Sequence, residues 1–459
     1  MTGRHRLPKR RWESLRTLLP RGRRLLPYAA LVVCVVTLVV VTLSVGGQPS
    51  QDRGRHWFGT LQTEPAAAQR EKEHGVTVAH LQVDWSRLEP SPGHFDRRYL
   101  AELRTRLAAF RTAGMKVEAG LGLNQPPRWL FERHPEAAFT DQHGKRSRES
   151  ANLVFSQDVR DAARNYLQRL DRALGLNSFW AIRVGVNGSG EFTYPDAAPA
   201  PEERSGGHHG SFWAFDRYAR AAHAEPGRAE GVPMNPYPGW RPGQRTHHGA
   251  EFTPRQALRW YEWYLSSLAG AVNWQVDRYD DLGYRGLLKV LVPGTGLRPA
   301  ELSAAVRDRL GDGRESALLG EGAGFSRTIG RIQHQDNVQI VSTALVDGSG
   351  IPRDNVCRPE DKSVGLDGRT HNGRPAAVEN WSSVRWIARI ATLEDFPLSG
   401  ESAGAHVAPY HPGVMDRAAW QMRACGLKGL MWAFDANLHD GTEGTSLKEY
   451  AAVIEEQDR

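Results

Sequence analysis

The chain has 459 residues, of which 40% are hydrophobic and 24% are charged, and this balance excludes an intrinsically disordered polymer. Its formal net charge is +7, but residues 1–27 hold nine Lys or Arg against one Glu, so the rest of the chain carries about −1. Because the positive charge is confined to the N-terminal arm, the basic balance predicts no nucleic-acid partner for the remainder.

An uncharged apolar segment follows the basic arm. Residues 25–47 (LLPYAALVVCVVTLVVVTLSVGG) are long enough to cross a hydrocarbon core, and we predict a transmembrane anchor at 28–47. A cleavable signal peptide is the alternative, although its apolar region usually has only about 7–15 residues. The positive-inside rule leaves residues 1–27 in the cytoplasm and places the chain after a polar linker at 48–55 outside, so the expected localisation is the cell membrane, single-pass, with the main domain extracellular.

The next part of the chain alternates between short apolar runs and longer amphipathic ones. Strands are predicted at 56–61, 76–85, 115–123 and 179–186. The helical pattern at 95–114 ends at Gly114, and the one at 156–175 begins with Ser156, a favourable N-cap, and ends at Gly175. This alternation predicts successive β/α units.

The second half continues the alternation after a segment rich in Gly, Pro and His, which we predict to be an insertion at 197–252. Strands are predicted at 287–294, 337–346, 396–402 and 427–434, with helices between them and a closing helix at 446–457. Eight strands alternating with helices predict an α/β fold, a (β/α)8 TIM barrel formed by residues 56–459. An open doubly wound sheet is the alternative, but no glycine fingerprint follows the first strand.

Cysteines and histidines give no motif for a metal or cofactor. Cys34 lies in the predicted anchor, and Cys357 and Cys425, which lie outside it, are compatible with a disulfide in an oxidising compartment or with two free thiols. The histidine pairs at 208–209 and 247–248 lie in polar, glycine-rich sequence typical of solvated loops. We therefore predict no metal site and no cofactor.

Carboxylates lie at the ends of two predicted strands, and the active site of a barrel lies at the C-terminal strand ends. Glu191 follows the fourth strand in NGSGEFTYPD, and Glu401 lies in LSGES of the seventh. Two carboxylates across one pocket can cleave a glycosidic bond, since one protonates the leaving oxygen while the other attacks the anomeric carbon or activates water. The alternatives are a surface acid, a partner for an arginine such as Arg183, or Glu379 as the second acid.

The other strand ends are rich in residues suited to carbohydrate binding. Sugar rings stack on aromatic side chains, and their hydroxyls need polar partners. The glycines before Glu191 allow a sharp turn, and Phe192 and Tyr194 are expected to wall the acid and raise its pKa by burial. The predicted substrate-binding residues are Trp85, Trp129, Tyr194, Trp381 and Trp432 among the aromatics, and Arg87, Asn124, Asn187 and Asp435 among the polar residues.

Several of these segments resemble known glycoside hydrolases. WSRLEPSPGHFD (85–96) and NQPPRWLFERHPE (124–136), followed by TDQHGKRS, resemble the segments after strands two and three in clan A, above all in the family 42 β-galactosidases. LSGES resembles the strand that delivers the clan's nucleophile, and GLKGLMWAFD resembles its strand eight. The resemblance implies a retaining β-glycosidase with Glu401 as nucleophile and Glu191 as acid/base.

The segment around Glu191 departs from that pattern. Clan A enzymes usually carry Asn directly before the acid/base Glu, whereas Asn187 is followed by Gly-Ser-Gly before Glu191. VGVNGSGEFTYP resembles the β-amylase family's general-acid stretch, and those (β/α)8 enzymes invert. The expected function is a membrane-anchored, extracytoplasmic glycoside hydrolase acting on an oligo- or polysaccharide. An inverting β-amylase-like hydrolase and a barrel that binds glycan without cleaving it remain the alternatives.

Overall fold

Eight parallel strands close into a barrel in the computed structural model, which describes residues 56–199, 210–311 and 316–457. Around the ring the order is β1-β8-β7-β6-β5-β4-β3-β2, so each strand lies beside its neighbours in sequence and β1 closes on β8. The predicted (β/α)8 barrel is therefore confirmed. The strands are β1 (Trp57–Thr60), β2 (Val78–Gln82), β3 (Lys116–Gly120), β4 (Ala181–Val184), β5 (Leu287–Val292), β6 (Val338–Leu345), β7 (Leu398–Ser402) and β8 (Gly429–Trp432).

Helices alternate with these strands along the chain, as the amphipathic patterns predict. Short 3-10 turns lie at Pro135–Ala137, Leu176–Ser178, Pro352–Asp354, Pro359–Ser363, Val378–Asn380 and Asp435–Leu438. The α-helices are α1 (Ala68–Glu73), α2 (Trp85–Leu88), α3 (Arg97–Thr112), α4 (Arg128–Arg133), α5 (Gln157–Leu174), α6 (Arg217–Arg220), α7 (Pro254–Asp281), α8 (Pro299–Arg307), α9 (Ser316–Glu321), α10 (Ser326–Ile329), α11 (Ser383–Leu393), α12 (Val414–Ala424) and α13 (Leu447–Gln457).

The helix α5 shows how the sequence determines these boundaries. The hydroxyl of Ser156 accepts a hydrogen bond from the N–H of Val159 and satisfies one of the free donors of the first turn. Gly175 ends the helix at φ +71°, a conformation that glycine adopts without steric penalty. Between these caps, one face of the helix is buried in the core at Val159, Ala163, Tyr166, Leu167 and Leu170. The predicted N-cap and C-terminal glycine are both confirmed.

The predicted insertion at 197–252 packs onto the long helix α7. Its described part contains α6 and a short hairpin formed by Thr246–His247 and Ala250–Glu251. Phe212 and Trp240 are buried against Trp260 of α7, with ring centroids 5.7 and 5.4 Å apart. Aromatic packing of this kind buries much apolar area, so the described part of the insertion belongs to the same hydrophobic core as the barrel.

The predicted N-terminal arm at 1–27, anchor at 28–47 and linker at 48–55 lie outside the described residues. Within residues 56–199, 210–311 and 316–457, no helix combines the length and the apolar character needed to cross a membrane. The anchor therefore stays a prediction from the sequence of residues 25–47.

A disulfide joins Cys357 to Cys425, with their Cα atoms 4.9 Å apart. It ties the segment between β6 and α11 to the C-terminal end of α12, across a sequence separation of 68 residues. The sequence was compatible with either a disulfide or two free thiols, and the structure contains the disulfide.

Candidate active site

Glu191 lies in a tight loop that follows β4. The side chain of Asn187 holds this loop, since its Oδ1 accepts the N–H of Glu191 at 2.7 Å and its Nδ2 donates to Thr193 Oγ1 at 2.8 Å. The carbonyl of Glu191 accepts the N–H of Val186 at 2.8 Å. Gly190, directly before the acid, has φ +83°, so a glycine is needed for this turn as the sequence predicts.

The carboxyl group of Glu191 is partly buried and lies next to β6. Thr343 of β6 donates a hydrogen bond from its hydroxyl to Glu191 Oε1 at 2.8 Å. Burial raises the pKa of Glu191; the hydrogen bond from Thr343 partly offsets this rise, and the negative charge of Glu401 adds to it. A carboxyl group whose pKa is raised in this way is suited to donate a proton near neutral pH.

Glu401 lies near the C-terminal end of β7 and is 7% exposed. Arg183 of β4 reaches it across the barrel: Nη1 donates to Glu401 Oε2 at 3.0 Å and Nη2 donates to Oε1 at 3.2 Å. Two parallel hydrogen bonds from one guanidinium fix the position and the orientation of a carboxylate. The sequence analysis gave an ion pair with Arg183 as an alternative to a catalytic role for a strand-end carboxylate. The structure shows that Glu401 forms this ion pair.

Arg183 also belongs to a larger group, which we call the charged cluster: Glu118, Arg183, Lys289 and Glu401. Arg183 Nη1 donates to Glu118 Oε1 at 3.0 Å, and Lys289 of β5 donates to Glu118 Oε2. Burial by itself would raise the pKa of Glu118, but the charges of Lys289 and Arg183 outweigh it and lower the pKa. With two cations and two carboxylates the charged cluster is neutral overall, which is the condition for burying charges inside a barrel.

Lys289 is further stabilised by two tryptophan rings. Its ammonium group lies 3.7 Å from the ring centroid of Trp57 and 4.6 Å from that of Trp180. Burial lowers the pKa of Lys289, although the charge of Glu118 opposes this effect. The sequence analysis did not identify Glu118 and Lys289 as functional residues. Each is a charged residue in the middle of a buried apolar run, and this pattern could have indicated them.

Asn124, predicted as a substrate contact, connects two loops at the barrel mouth. Its Nδ2 donates to the carbonyl of Gly188 at 2.7 Å, which joins the loop after β3 to the loop that carries Glu191. The carboxylate of Glu149 supports the same loop, since it accepts the N–H of Gly188 at 3.0 Å and that of Asp196 at 3.1 Å. Asn124 and Asn187 therefore both lie at the site, where they hold the loop of Glu191 in place.

Most of the predicted stacking residues are buried in the core. Trp85, Tyr194 and Trp432 are fully buried, and Trp381 is buried nearly as completely. Within the described residues, none of these four aromatic side chains is exposed to solvent. Trp129 is the partly exposed member of the predicted set, and its Nε1 donates to the carbonyl of Glu89 at 2.9 Å.

The remaining predicted residues lie apart from the charged cluster. Arg87 is at the surface, where it pairs with Glu102 at 3.5 Å. Asp435 is fully buried in the turn after β8 and faces Glu71 rather than Glu191. Glu379, the alternative second acid, is exposed on a 3-10 turn. Of the predicted residues, the structure thus pairs Glu401 with Arg183. It places Asn124 and Asn187 in contact with the loop of Glu191, whose carboxyl group lies within the influence of the charges of Glu401 and Arg183.

Solved structures with a similar fold include enzymes that act on carbohydrates. The catalytic domain of a β-amylase from Paenibacillus polymyxa matches with a TM-score of 0.56 at 16% identity, covering 88% of this chain and 100% of that one. A β-galactosidase from Bacillus circulans sp. alkalophilus matches with a TM-score of 0.51 at 13% identity, covering 89% and 56%. At these identities the likeness shows the fold alone, a (β/α)8 barrel.

The sequence match is narrower and more specific. The family model for the glycoside hydrolase family 42 β-galactosidases matches residues 56–178. A β-galactosidase from Thermus thermophilus is 34% identical over 126 residues, which is 26% of this chain and 18% of that protein. The chain thus spans less than a fifth of the length of this relative. The resemblance to family 42 seen in residues 85–136 is confirmed, and the matched region carries β1 to β3 with Glu118 and Asn124.

Proposed function

We propose that this protein is a glycoside hydrolase in which Glu191 is the general acid and Glu401 is the second carboxylate. The observation that carries the proposal is the contrast between the two groups. Burial favours the protonated form of Glu191, whereas Glu401 is held by two hydrogen bonds from Arg183. Glycosidic hydrolysis by two carboxyl groups requires such a pair with different environments. The family 42 match supports a β-galactoside as the first substrate to test.

Each residue of the site has a distinct task in this reaction. The hydrogen bond from Thr343 engages Glu191 Oε1 and leaves Oε2 to carry the proton that passes to the leaving oxygen. Arg183 fixes Glu401 so that its carboxylate either attacks the anomeric carbon or activates a water molecule. Asn187 and Asn124 hold the loop that presents Glu191. The choice between attack and water activation decides whether the enzyme retains or inverts the anomeric configuration.

Hydrolysis of an aryl β-galactoside by the full-length chain tests the proposal. Glu191→Gln and Glu401→Gln are each expected to lower kcat by at least about 100-fold, the lower end of what a positioned acid or base contributes. Glu379→Gln is the matched control, because this carboxylate is exposed on a 3-10 turn and its loss should leave kcat unchanged. Equal losses in all three variants, or full activity in Glu401→Gln, would refute the assignment.

The stereochemistry of the reaction has its own measurement. Proton NMR of the first-formed sugar distinguishes retention, in which Glu401 is the nucleophile, from inversion of the β-amylase type. For a retaining enzyme, azide added to Glu401→Ala should restore turnover and give a glycosyl azide of inverted configuration. Absence of this rescue together with an inverted product would assign Glu401 to water activation.

A barrel that binds glycan without cleaving it is the second candidate. One observation favours it, namely that Arg183 engages both carboxylate oxygens of Glu401, which is 7% exposed. In that case Glu401 would serve the ion pair alone. Binding of oligosaccharides by a wild-type chain that hydrolyses no aryl glycoside would support this function, whereas turnover that disappears in Glu401→Gln would eliminate it.

The location we propose is the outer face of a membrane, with residues 28–47 as the anchor. The uncharged segment at 25–47 and the basic arm before it support this topology. The disulfide between Cys357 and Cys425 fits an oxidising compartment. In a bacterial host, the full-length chain should stay in carbonate-washed membranes, and external protease should reach its main domain. Recovery of the chain in the soluble cytosolic fraction would contradict this topology.

A further inference from the structure

Three potential metal ligands converge beside the barrel mouth, away from the charged cluster. Glu71 lies in α1, and Asp435 and His439 lie in the segment after β8. One ligand atom from each lies within 4.8 Å of the others. His439 and Glu71 are 368 residues apart along the chain, so no local spacing in the sequence could reveal the group. The closure of β1 on β8 brings them together, since Thr60 pairs with Trp432 in the barrel.

Two carboxylate oxygens in this group are buried without a hydrogen-bond partner. They are Glu71 Oε2 and Asp435 Oδ1, and both residues are fully buried. The other oxygen of each carboxylate is engaged, because His439 Nε2 lies 2.9 Å from Glu71 Oε1 and the N–H of Glu64 donates to Asp435 Oδ2 at 3.1 Å. Unpaired buried carboxylate oxygens are strongly unfavourable, so two of them facing each other require either a cation or a proton shared between them.

We propose that Glu71, Asp435 and His439 bind a divalent transition-metal cation of the Zn²⁺ or Mn²⁺ class. Two carboxylates and one imidazole form a donor set typical of these ions, whereas Ca²⁺ takes six to eight oxygen ligands. The side chain of His439 is 23% exposed, so the cation enters from solvent on this side and water completes its coordination. The bound cation links α1 to the turn after β8 and fastens the first β/α unit to the last.

Arg70 controls access to the histidine ligand. Its Nη2 lies 2.9 Å from His439 Nδ1, and because arginine only donates, Nδ1 accepts and Nε2 carries the ring hydrogen toward Glu71. Coordination through Nε2 moves that hydrogen to Nδ1 and releases the guanidinium of Arg70 into solvent. Arg70 is exposed, so its release meets little steric resistance. The guanidinium and the cation therefore compete for His439.

Calorimetric titration of the full-length, untagged, EDTA-treated chain in detergent with Zn²⁺, Mn²⁺ and Ca²⁺ tests the proposal. The wild type should bind one Zn²⁺ at this site, more tightly than Ca²⁺. Asp435→Asn, Glu71→Gln and His439→Ala should each weaken that binding by at least about 10- to 100-fold, as losing a supporting ligand contact does. Arg70→Gln should bind more tightly than the wild type, because it removes the competitor.

Two comparisons keep the test independent of folding defects and of other histidines. His439→Ala changes a partly exposed side chain, so its loss of Zn²⁺ binding with an unchanged circular dichroism spectrum supports the site. His247→Gln with His248→Gln removes an adjacent histidine pair in the hairpin and should keep wild-type affinity. Zn²⁺ affinity in Glu71→Gln equal to that of the wild type would overturn the proposal. So would a wild type that binds no Zn²⁺ and has the same stability as Glu71→Gln. Either result would assign the facing oxygens to a shared proton.

Discussion

The hydrogen bond from Thr343 to Glu191 leads to a specific prediction about the pH dependence of hydrolysis. Burial raises the pKa of Glu191 above its usual value of 4.5, and the hydroxyl of Thr343, 2.8 Å from Oε1, opposes that rise. A general acid works while it is protonated, so activity falls as the pH rises through this pKa. Thr343→Val removes the donor and nearly keeps the side-chain shape, so it should move the alkaline limb of the profile to higher pH.

The size of this shift follows from the strength of the bond. A hydrogen bond to a charged group contributes about 1.5–3 kcal/mol. One pKa unit corresponds to about 1.4 kcal/mol, so complete loss of the bond predicts a shift of about 1–2 units. Glu191 is partly buried, and water replaces part of the lost interaction in the variant. We therefore expect the alkaline limb to move by about one unit, the lower end of that range.

The assay is kcat/KM for an aryl β-galactoside across the pH range, because this quantity reports the pKa values of the free enzyme. Thr328→Val is the matched control, because Thr328 is a buried threonine whose hydroxyl donates to a backbone carbonyl, that of Phe325, at 3.0 Å, rather than to a carboxylate. The control should lose some stability and keep the wild-type pH profile. An alkaline limb that stays in place or moves to lower pH in Thr343→Val would refute the role assigned to Glu191.

Three further predictions concern the free energy of unfolding. Glu118→Gln leaves the positive charges of the buried cluster without enough negative charge and should lower the free energy of unfolding by about 3–5 kcal/mol in urea denaturation. The exposed control Glu132→Gln should change this free energy by less than about 1 kcal/mol. Equal effects of the two variants would contradict the prediction. Burial raises the pKa of Asp216 from 3.8 to about 6. The protonated side chain of Asp216 therefore makes its full contribution to stability below pH 3.8, and this contribution is lost as the pH rises through about 6. Asp216→Asn should abolish this loss of about 3 kcal/mol, measured by thermal denaturation across that interval; an unchanged pH dependence would argue against it. Replacing Cys357 and Cys425 by serine should lower stability by about 4 kcal/mol, and a reductant should destabilise the wild type but not the variant.

The barrel was predictable because each strand is a short buried run between helical patterns. The strand boundaries were less accurate, and β8 shows the reason. The apolar run extends over 427–434, but the strand is Gly429–Trp432. Beyond it, the N–H of Ala433 donates to Ser402 Oγ at 2.9 Å and that of Phe434 donates to Asn437 Oδ1 at 3.0 Å. These backbone N–H groups thus donate to side chains instead of to a neighbouring strand, and the apolar character of the segment alone does not predict this change of hydrogen-bond partner.

The alternation of side chains along a strand explains why Trp432 lies away from the site. Glu401 of β7 is in register with Met431 of β8, and Met431 packs with Val78 in a small cluster together with Trp57. Since successive residues of a strand point to opposite faces, Trp432 lies on the helix-facing side, where its ring is 6.1 Å from that of Tyr450. A tryptophan at a strand end is therefore a candidate for sugar stacking only when its parity matches that of the catalytic acid.

The charged cluster is better explained by the demands of the site than by those of stability. Buried ion pairs seldom stabilise a fold more than well-packed apolar residues of similar size would, because the charges first lose their hydration. Arg183 is nevertheless in register with Lys289 on β5, and both side chains contact Glu118 inside the barrel. These contacts leave Arg183 little freedom, so its two bonds to Glu401 are rigid. The sequence could suggest Arg183 as a partner of a strand-end carboxylate. Glu118 and Lys289, however, come together with Arg183 only because the barrel closes, and no local sequence pattern predicts these contacts.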